Sequence, residues 1–134
     1  MPIYTIYHRP LIQGKSREEL AIGLTDLHAN VTGASRDDVK IIFAPLDAYS
    51  FFKGGKPTQS YVRVVAQIRI GRTEEQKMQI LSGMYKLVKA AFDQKPPRFV
   101  SSWSGQKHEE FIAETQIVEI DDTKTVMTNG VLNT

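Results

Sequence analysis

The chain has 134 residues, of which 41% are hydrophobic and 24% are charged, and its formal net charge is +2. These values are typical of one globular domain, and so small a charge gives little support to nucleic-acid binding. The sequence contains no cysteine, which excludes disulfides, thiolate nucleophiles and cysteine-bound zinc. No apolar run approaches the ~20 residues of a membrane helix, and the amino-terminal segment lacks a signal-peptide pattern. We therefore expect a cytoplasmic protein that binds neither membranes nor nucleic acid.

The first third of the chain predicts a strand, a helix and a second strand. Residues 2–9 are rich in β-branched and aromatic side chains, which favour a strand. A capping-box pattern at residues 16–19 predicts the start of a helix, and Gly33 predicts its end. Apolar residues recur between these points at helical spacing: Leu20, Leu24, Leu27 and Val31. Residues 39–44 predict the second strand, and this order favours a parallel pair with a right-handed crossover.

The same pattern returns in the second half of the chain. An offset of 57 positions aligns Gly14-Lys15-Ser16 with Gly71-Arg72-Thr73, and it also aligns Tyr4 with Tyr61. A strand over residues 61–70, a capping box at 73–76 and a fourth strand over residues 98–102 complete the second copy. Two tandem βαβ units, about 2–45 and 59–104, therefore predict an α/β fold in which a four-stranded sheet carries two helices on one face.

The remaining segments predict smaller elements around this sheet. Residues 51–57 predict a turn or short hairpin, residues 108–113 a short helical turn, and residues 115–120 an edge strand. The single domain is expected to span residues 1–120, followed by a polar tail over 121–134. Because the helices would cover only one face of the sheet, we expect oligomerisation to bury the other face.

Pro2 is the first candidate for chemistry. It directly follows Met1, and removal of the initiator methionine would leave a secondary amine at the amino terminus. The pKa of an α-amino group is about 7.7–8.0, and burial or nearby positive charge lowers it. Such a group can accept or donate a proton near neutral pH. The alternative is that Pro2 only begins a strand, as proline often does.

Arg69, Arg72 and His28 are candidates for binding an anion. The two arginines flank the end of a strand and the start of a helix, where an anion is favoured and paired guanidinium groups can hold a carboxylate. Ordinary solvated arginines are the alternative. His28 lies at the border of an apolar helix face. The alternative to an anion-binding role is a structural histidine at the edge of the core, with its hydrogen bonds satisfied there. The histidines of the chain show no metal-ligand spacing, so we expect no metal site.

Together these segments resemble the tautomerase superfamily, and in particular its cis-3-chloroacrylic acid dehalogenase group. The resemblance covers about residues 2–114 and rests on four motifs: the Met-Pro-Ile-Tyr start, Leu-Thr-Asp-Leu-His at 24–28, Phe-Lys-Gly-Gly at 52–55, and Arg-Ile-Gly-Arg at 69–72. It implies two βαβ units per chain and a barrel-like homotrimer. It also implies that Pro2 is the general acid or base, while His28, Arg69 and Arg72 bind and polarise a substrate carboxylate.

The resemblance is incomplete at the residues that would activate water. The dehalogenase group uses a late glutamate, which Glu114 matches, and a tyrosine eleven positions earlier, where this chain has Trp103. An indole N–H can donate one hydrogen bond but cannot replace a phenol. Glu109 or Glu110 could substitute for Glu114 because the alignment here is loose. We therefore expect dehalogenation to be weak relative to tautomerase or hydratase activity.

The sequence thus predicts a cofactor-independent enzyme that acts on a small unsaturated or keto/enol carboxylic acid. The reaction is tautomerisation, hydration or cis-3-chloroacrylate-type dehalogenation, with Pro2 and Glu114 as catalytic candidates. His28, Arg69, Arg72 and Trp103 are the substrate-binding candidates. The alternative is a non-catalytic trimeric binding protein of the same fold.

Overall fold

Six strands and two long helices form the parts of the chain that the computed structural model describes, which are residues 2–10, 12–58, 60–92 and 112–121. The elements are β1 (Ile3–His8), α1 (Gly14–Thr32), β2 (Lys40–Pro45), β3 (Phe52–Lys53), β4 (Lys56–Pro57), β5 (Tyr61–Arg69), α2 (Glu74–Phe92) and β6 (Ile112–Ile120). A short 3₁₀ helix, Arg36–Asp38, precedes β2. In these described segments, neither helix has the length and hydropathy that crossing a membrane requires.

Four of the strands form one sheet in the order β2-β1-β5-β6. β1 and β2 are parallel, as are β5 and β6, whereas β1 and β5 are antiparallel with Ile6 opposite Val64. Each parallel pair is joined through a helix, which confirms the predicted α/β architecture of two βαβ units. β3 and β4 form the predicted hairpin, and Gly54 and Gly55 supply the positive φ angles of its turn.

Both helices pack on one face of this sheet. Alternate side chains of β1 and β5 point into the core, where they meet the apolar faces of α1 and α2. The most deeply buried of these are Tyr4, Ile6, Val62, Val64, Ala66, Ile68, Leu24, Ile80, Met84 and Val88. The uncovered face contains the intervening residues instead, including the exposed Tyr7. The chain alone thus leaves one face of the sheet open, as predicted.

The two predicted helix starts differ in outcome. At the start of α2, the amide of Gln76 donates to Thr73 Oγ1 at 3.0 Å and the amide of Thr73 donates to Gln76 Oε1 at 2.9 Å. This reciprocal pair is the predicted capping box. The capping box predicted at Ser16 is wrong, because α1 already begins at Gly14 and its N-cap, Gln13, makes no side-chain cap. Ser16 therefore lies inside the first helical turn.

The strand beside β5 is not the one predicted from the repeat. The predicted strand at residues 98–102 lies outside the described residues, and β6 occupies the parallel position next to β5. β6 contains the predicted edge strand 115–120 and begins three residues earlier. The second βαβ unit therefore extends to Ile120, with a longer connection after its helix than the first unit has. Of the predicted helical turn at 108–113, only residues 112 and 113 are described, and both belong to β6.

Candidate functional site

A polar pocket of about 250 Å³ lies at the amino-terminal end of β1. Its lining residues are Pro2, His28, Thr32, Gly33, Ala34, Asp38, Arg69 and Arg72. The fold therefore brings together four residues that the sequence predicts for the site, Pro2, His28, Arg69 and Arg72, although they come from three separate segments of the chain. The sheet and the two helices explain how these segments meet.

The start of β1 lies beside the end of β5 because these strands are antiparallel. Ile3 is opposite Gln67 in this ladder, so Pro2 and Arg69 lie at the same edge of the sheet. The carbonyl oxygen of Pro2 accepts a hydrogen bond of 3.0 Å from the amide of Lys40, which extends the parallel pairing with β2. Pro2 is buried. It is therefore tied to β2 at the head of β1.

His28 reaches the pocket from the buried face of α1. Only 1% of its surface is exposed, and its Nδ1 lies 2.8 Å from the hydroxyl of Tyr4. The two rings pack edge to face, with their centroids 5.6 Å apart. Burial, together with the positive charges of Arg72 and the amino terminus, lowers the pKa of His28 from its ordinary value to about 4. His28 is therefore neutral at physiological pH and contributes a hydrogen-bonding ring rather than a charge.

The positive charge of the pocket comes from Arg69 and Arg72. Arg69 is the last residue of β5, and Arg72 directly precedes Thr73, the cap of α2. Arg72 is half-buried, and its Nε is buried without a hydrogen-bond partner. Asp38, on the 3₁₀ helix, is the acidic residue of the lining and is exposed to solvent. This arrangement can hold an anion, because guanidinium groups and a helix amino terminus both favour negative charge.

Glu114 lies elsewhere in the fold. It is on β6 opposite Arg63, six strand positions before the pair of Arg69 and Ile120, which corresponds to about 20 Å along the sheet. The hydroxyl of Tyr61 donates to its carboxylate at 2.8 Å, and Arg63 Nη1 is 3.7 Å from the same oxygen. A single chain therefore does not bring Glu114 into the pocket.

The other water-activating candidates lie outside the described residues: Trp103, Glu109 and Glu110. Among the residues that are described, no group of three histidine or acidic side chains could hold a metal ion.

Two residues of this region escaped the sequence analysis. Tyr4 belongs to a strand pattern that predicts only burial, and its contact with His28 joins residues 24 positions apart. Asp38 lies in a short 3₁₀ helix whose N-cap, Ser35, accepts a hydrogen bond from the amide of Asp37. The Ser-Arg-Asp-Asp sequence carries a capping signal, but nothing in it indicates that the turn borders a pocket.

Comparison with known proteins agrees with the family resemblance seen in the sequence. The Tautomerase_3 family model, described as "Putative oxalocrotonate tautomerase enzyme", matches residues 1–129. N1, a member of the cis-3-chloroacrylic acid dehalogenase (cis-CaaD) family, is 28% identical, with a TM-score of 0.70 over 89% of this chain and 75% of N1. Among curated protein sequences, none matches the chain significantly.

Two solved structures with lower sequence identity share the fold. A fused 4-OT is 22% identical, with a TM-score of 0.72 over 90% of this chain and 88% of that protein. Native Ps01740 is 20% identical, with a TM-score of 0.73 over 91% of this chain and 96% of that protein.

The neutral state of His28 predicts how stability depends on pH. The unfolded histidine has a pKa of about 6.5, whereas the folded value is about 4, so the unfolded chain binds more protons between these values. The free energy of unfolding should therefore be greatest above pH 6.5 and fall as the pH decreases towards 4. Urea unfolding at pH 7, 6 and 5 measures this slope. His28→Gln should make the slope shallower without abolishing it, because burial also lowers the pKa of His8. An unchanged slope in that variant would contradict the prediction.

Proposed function

Since the chain belongs to the Tautomerase_3 family, we propose that it is a cofactor-independent enzyme that moves a proton within a small keto/enol or unsaturated carboxylic acid. The single observation that carries this proposal is the pocket that holds Pro2 beside His28, Arg69 and Arg72. These groups combine an amine that can transfer a proton with two cations that can bind a carboxylate.

Tautomerisation needs only the groups that line this pocket. Arg69 and Arg72 bind the substrate carboxylate through charge-assisted hydrogen bonds. The unprotonated nitrogen of Pro2 accepts the proton of the enol hydroxyl while the C–O bond becomes a carbonyl. The same nitrogen then delivers that proton to the neighbouring carbon, so the reaction neither gains nor loses an atom. The arginines and His28 stabilise the negative charge that develops on the substrate between these steps.

The proposed role of Pro2 requires that Met1 be removed. With Met1 in place, the nitrogen of Pro2 is an amide and has no basic lone pair. After removal it is a secondary amine beside two guanidinium groups, whose positive charge disfavours its protonated form. A general base must be unprotonated at the pH of the reaction, and the Pro2 amine would then meet this requirement near neutral pH.

Addition of water to the substrate needs a further group that activates the water. Glu114 accepts a hydrogen bond from Tyr61 at the far end of the β5–β6 pair. To activate water, its carboxylate would have to reach the pocket of another chain. We therefore propose tautomerisation as the principal reaction, with hydration or dehalogenation as weaker activities. A non-catalytic binding protein remains the competing function, and turnover of an enol acid by the processed protein distinguishes the two.

Blocking the nitrogen of Pro2 tests the proposed function most directly. A protein that retains Met1 should lose about 10²–10⁴ in rate, because it lacks the general acid or base. The matched control is the processed protein with the same pocket, and intact-mass measurement establishes the state of each sample. Keto–enol conversion of an enol acid is followed by ultraviolet absorbance. Equal turnover by the two forms would show that Pro2 is only structural.

Arg72→Ala tests the binding of the carboxylate. Loss of a hydrogen bond to a charged group should reduce kcat/KM by about 10- to 150-fold, which corresponds to about 1.5–3 kcal/mol, mainly through KM. Arg63→Ala is the matched control, since Arg63 is on the same sheet but pairs with Glu114 and Gln116 away from the pocket. If both variants keep the kinetics of the parent protein, Arg72 does not bind the substrate.

We also propose that the active form is a homotrimer, which would cover the open face of the sheet. The fused 4-OT that shares this fold is described as a trimer. Sedimentation equilibrium should give three times the chain mass of 15.1 kDa at micromolar concentration. A stable, folded monomer under these conditions would contradict the assembly but not the chemistry assigned to the pocket.

A further inference from the structure

Tyr4 and His28 form a buried pair directly behind the pocket. Tyr4 is 0% exposed and does not line the pocket, whereas His28 does. The hydroxyl of Tyr4 lies 2.8 Å from Nδ1 of His28. The order of groups is therefore Tyr4, then His28, then the space where the substrate would bind.

The direction of this hydrogen bond follows from the burial of Tyr4. Burial raises the pKa of the phenol above its usual range, so the hydroxyl keeps its proton. A buried O–H group must find an acceptor, and Nδ1 of a neutral imidazole is an acceptor within hydrogen-bond distance. The geometry therefore favours donation from Tyr4 to His28.

A neutral imidazole carries one proton on its two ring nitrogens. When Nδ1 accepts a hydrogen bond, that proton must be on Nε2. Nδ1 is directed to Tyr4, which leaves the Nε2 side of the ring for the pocket that His28 lines. Burial of the ring and the positive charge of Arg72 disfavour a second proton on it.

We propose that Tyr4 is a positioning residue that holds His28 as the Nε2–H tautomer, so that His28 donates a neutral hydrogen bond to a carbonyl or enol oxygen of the substrate. This inference rests on the proposed function, because it assigns His28 a partner within that substrate. The arginines match the full negative charge of a carboxylate. The neutral Nε2–H of His28 matches the carbonyl or enol oxygen next to that carboxylate. The hydrogen bond between them strengthens as this oxygen gains enolate character.

The second βαβ unit contains a natural comparison for this pair. Tyr61 is the counterpart of Tyr4 in the repeat, and its hydroxyl donates to Glu114 instead. The same offset aligns His28 with Tyr85, which is 44% exposed. The tyrosine is thus common to both units, but a histidine partner at a pocket is found in the first unit. Tyr61→Phe therefore removes an equivalent hydroxyl without touching His28.

The tautomer of His28 can be measured without any substrate. Two-dimensional ¹H–¹⁵N spectra of the imidazole ring distinguish a protonated Nε2 from a protonated Nδ1. At pH 7 the parent protein and Tyr61→Phe should show the Nε2–H form. Tyr4→Phe should move His28 towards a mixture of the two tautomers, since its Nδ1 loses the donor. A protonated Nδ1 in the parent protein would overturn the proposal.

A pair of ligands tests the bond to the substrate oxygen. 2-Oxobutanoate and butanoate both carry a carboxylate, but only the first has a carbonyl oxygen beside it. Tyr4→Phe should weaken binding of 2-oxobutanoate by about twofold, because only the Nε2–H fraction of a mixture can donate, and leave binding of butanoate unchanged. Tyr61→Phe should change neither dissociation constant. Equal affinity of the parent protein for the two ligands would overturn the role assigned to Nε2.

His28→Gln provides a second variant if Tyr4→Phe does not fold. The glutamine amide can replace the Nε2–H donor, and its retention of the preference for 2-oxobutanoate would support the proposal. His28→Leu should abolish the preference, and a preference that survives in this variant would overturn the proposal. Failure of the proposed function would give a different result. The spectra would still show the Nε2–H tautomer and the protein would still prefer 2-oxobutanoate, but it would turn over no enol acid. The two hypotheses are therefore separable.

Discussion

The antiparallel register of β1 and β5 determines where the candidate site forms. Because Ile3 is opposite Gln67, the head of β1 lies at the end of β5, and Pro2 shares one sheet edge with Arg69. A slip of two residues would displace these groups by about 7 Å. A slip of one residue would turn the buried side chains of a strand to the open face. The hydrophobic core therefore also maintains the geometry of the pocket.

The two βαβ units have the same architecture but different polar interactions. In the first unit Tyr4 contacts His28 at the pocket, whereas in the second unit Tyr61 contacts Glu114. The apolar residues of both helices meet in one core, since either unit alone would leave its helix and strands partly uncovered. Packing thus requires similarity between the units, but it leaves their polar residues free to diverge. One end of the sheet has accordingly become a cationic pocket.

The sequence predicts the fold well because its signals are local and repeated. The β-branched and aromatic composition of β1, the helical spacing in α1 and the Thr73 capping box each act over a few residues. The position of the last strand is not local, because β6 is identified by its pairing with β5 rather than by distance along the chain. Chemistry and family resemblance identify Pro2, His28, Arg69 and Arg72 in the sequence, yet their proximity depends on strand order and register. The Tyr4–His28 contact could not be predicted, since a buried tyrosine looks the same in sequence whatever its partner is.

The charge state of His28 links the packing of the core to the chemistry of the pocket. A protonated histidine beside Arg72 would add a third positive group to a partly buried space, and burial makes that charge costly. The fold removes the charge by burying the ring beside Arg72. What remains is a neutral ring between a hydrophobic core and two arginines. The same apolar packing that stabilises α1 against the sheet therefore also keeps the histidine ring of the pocket neutral.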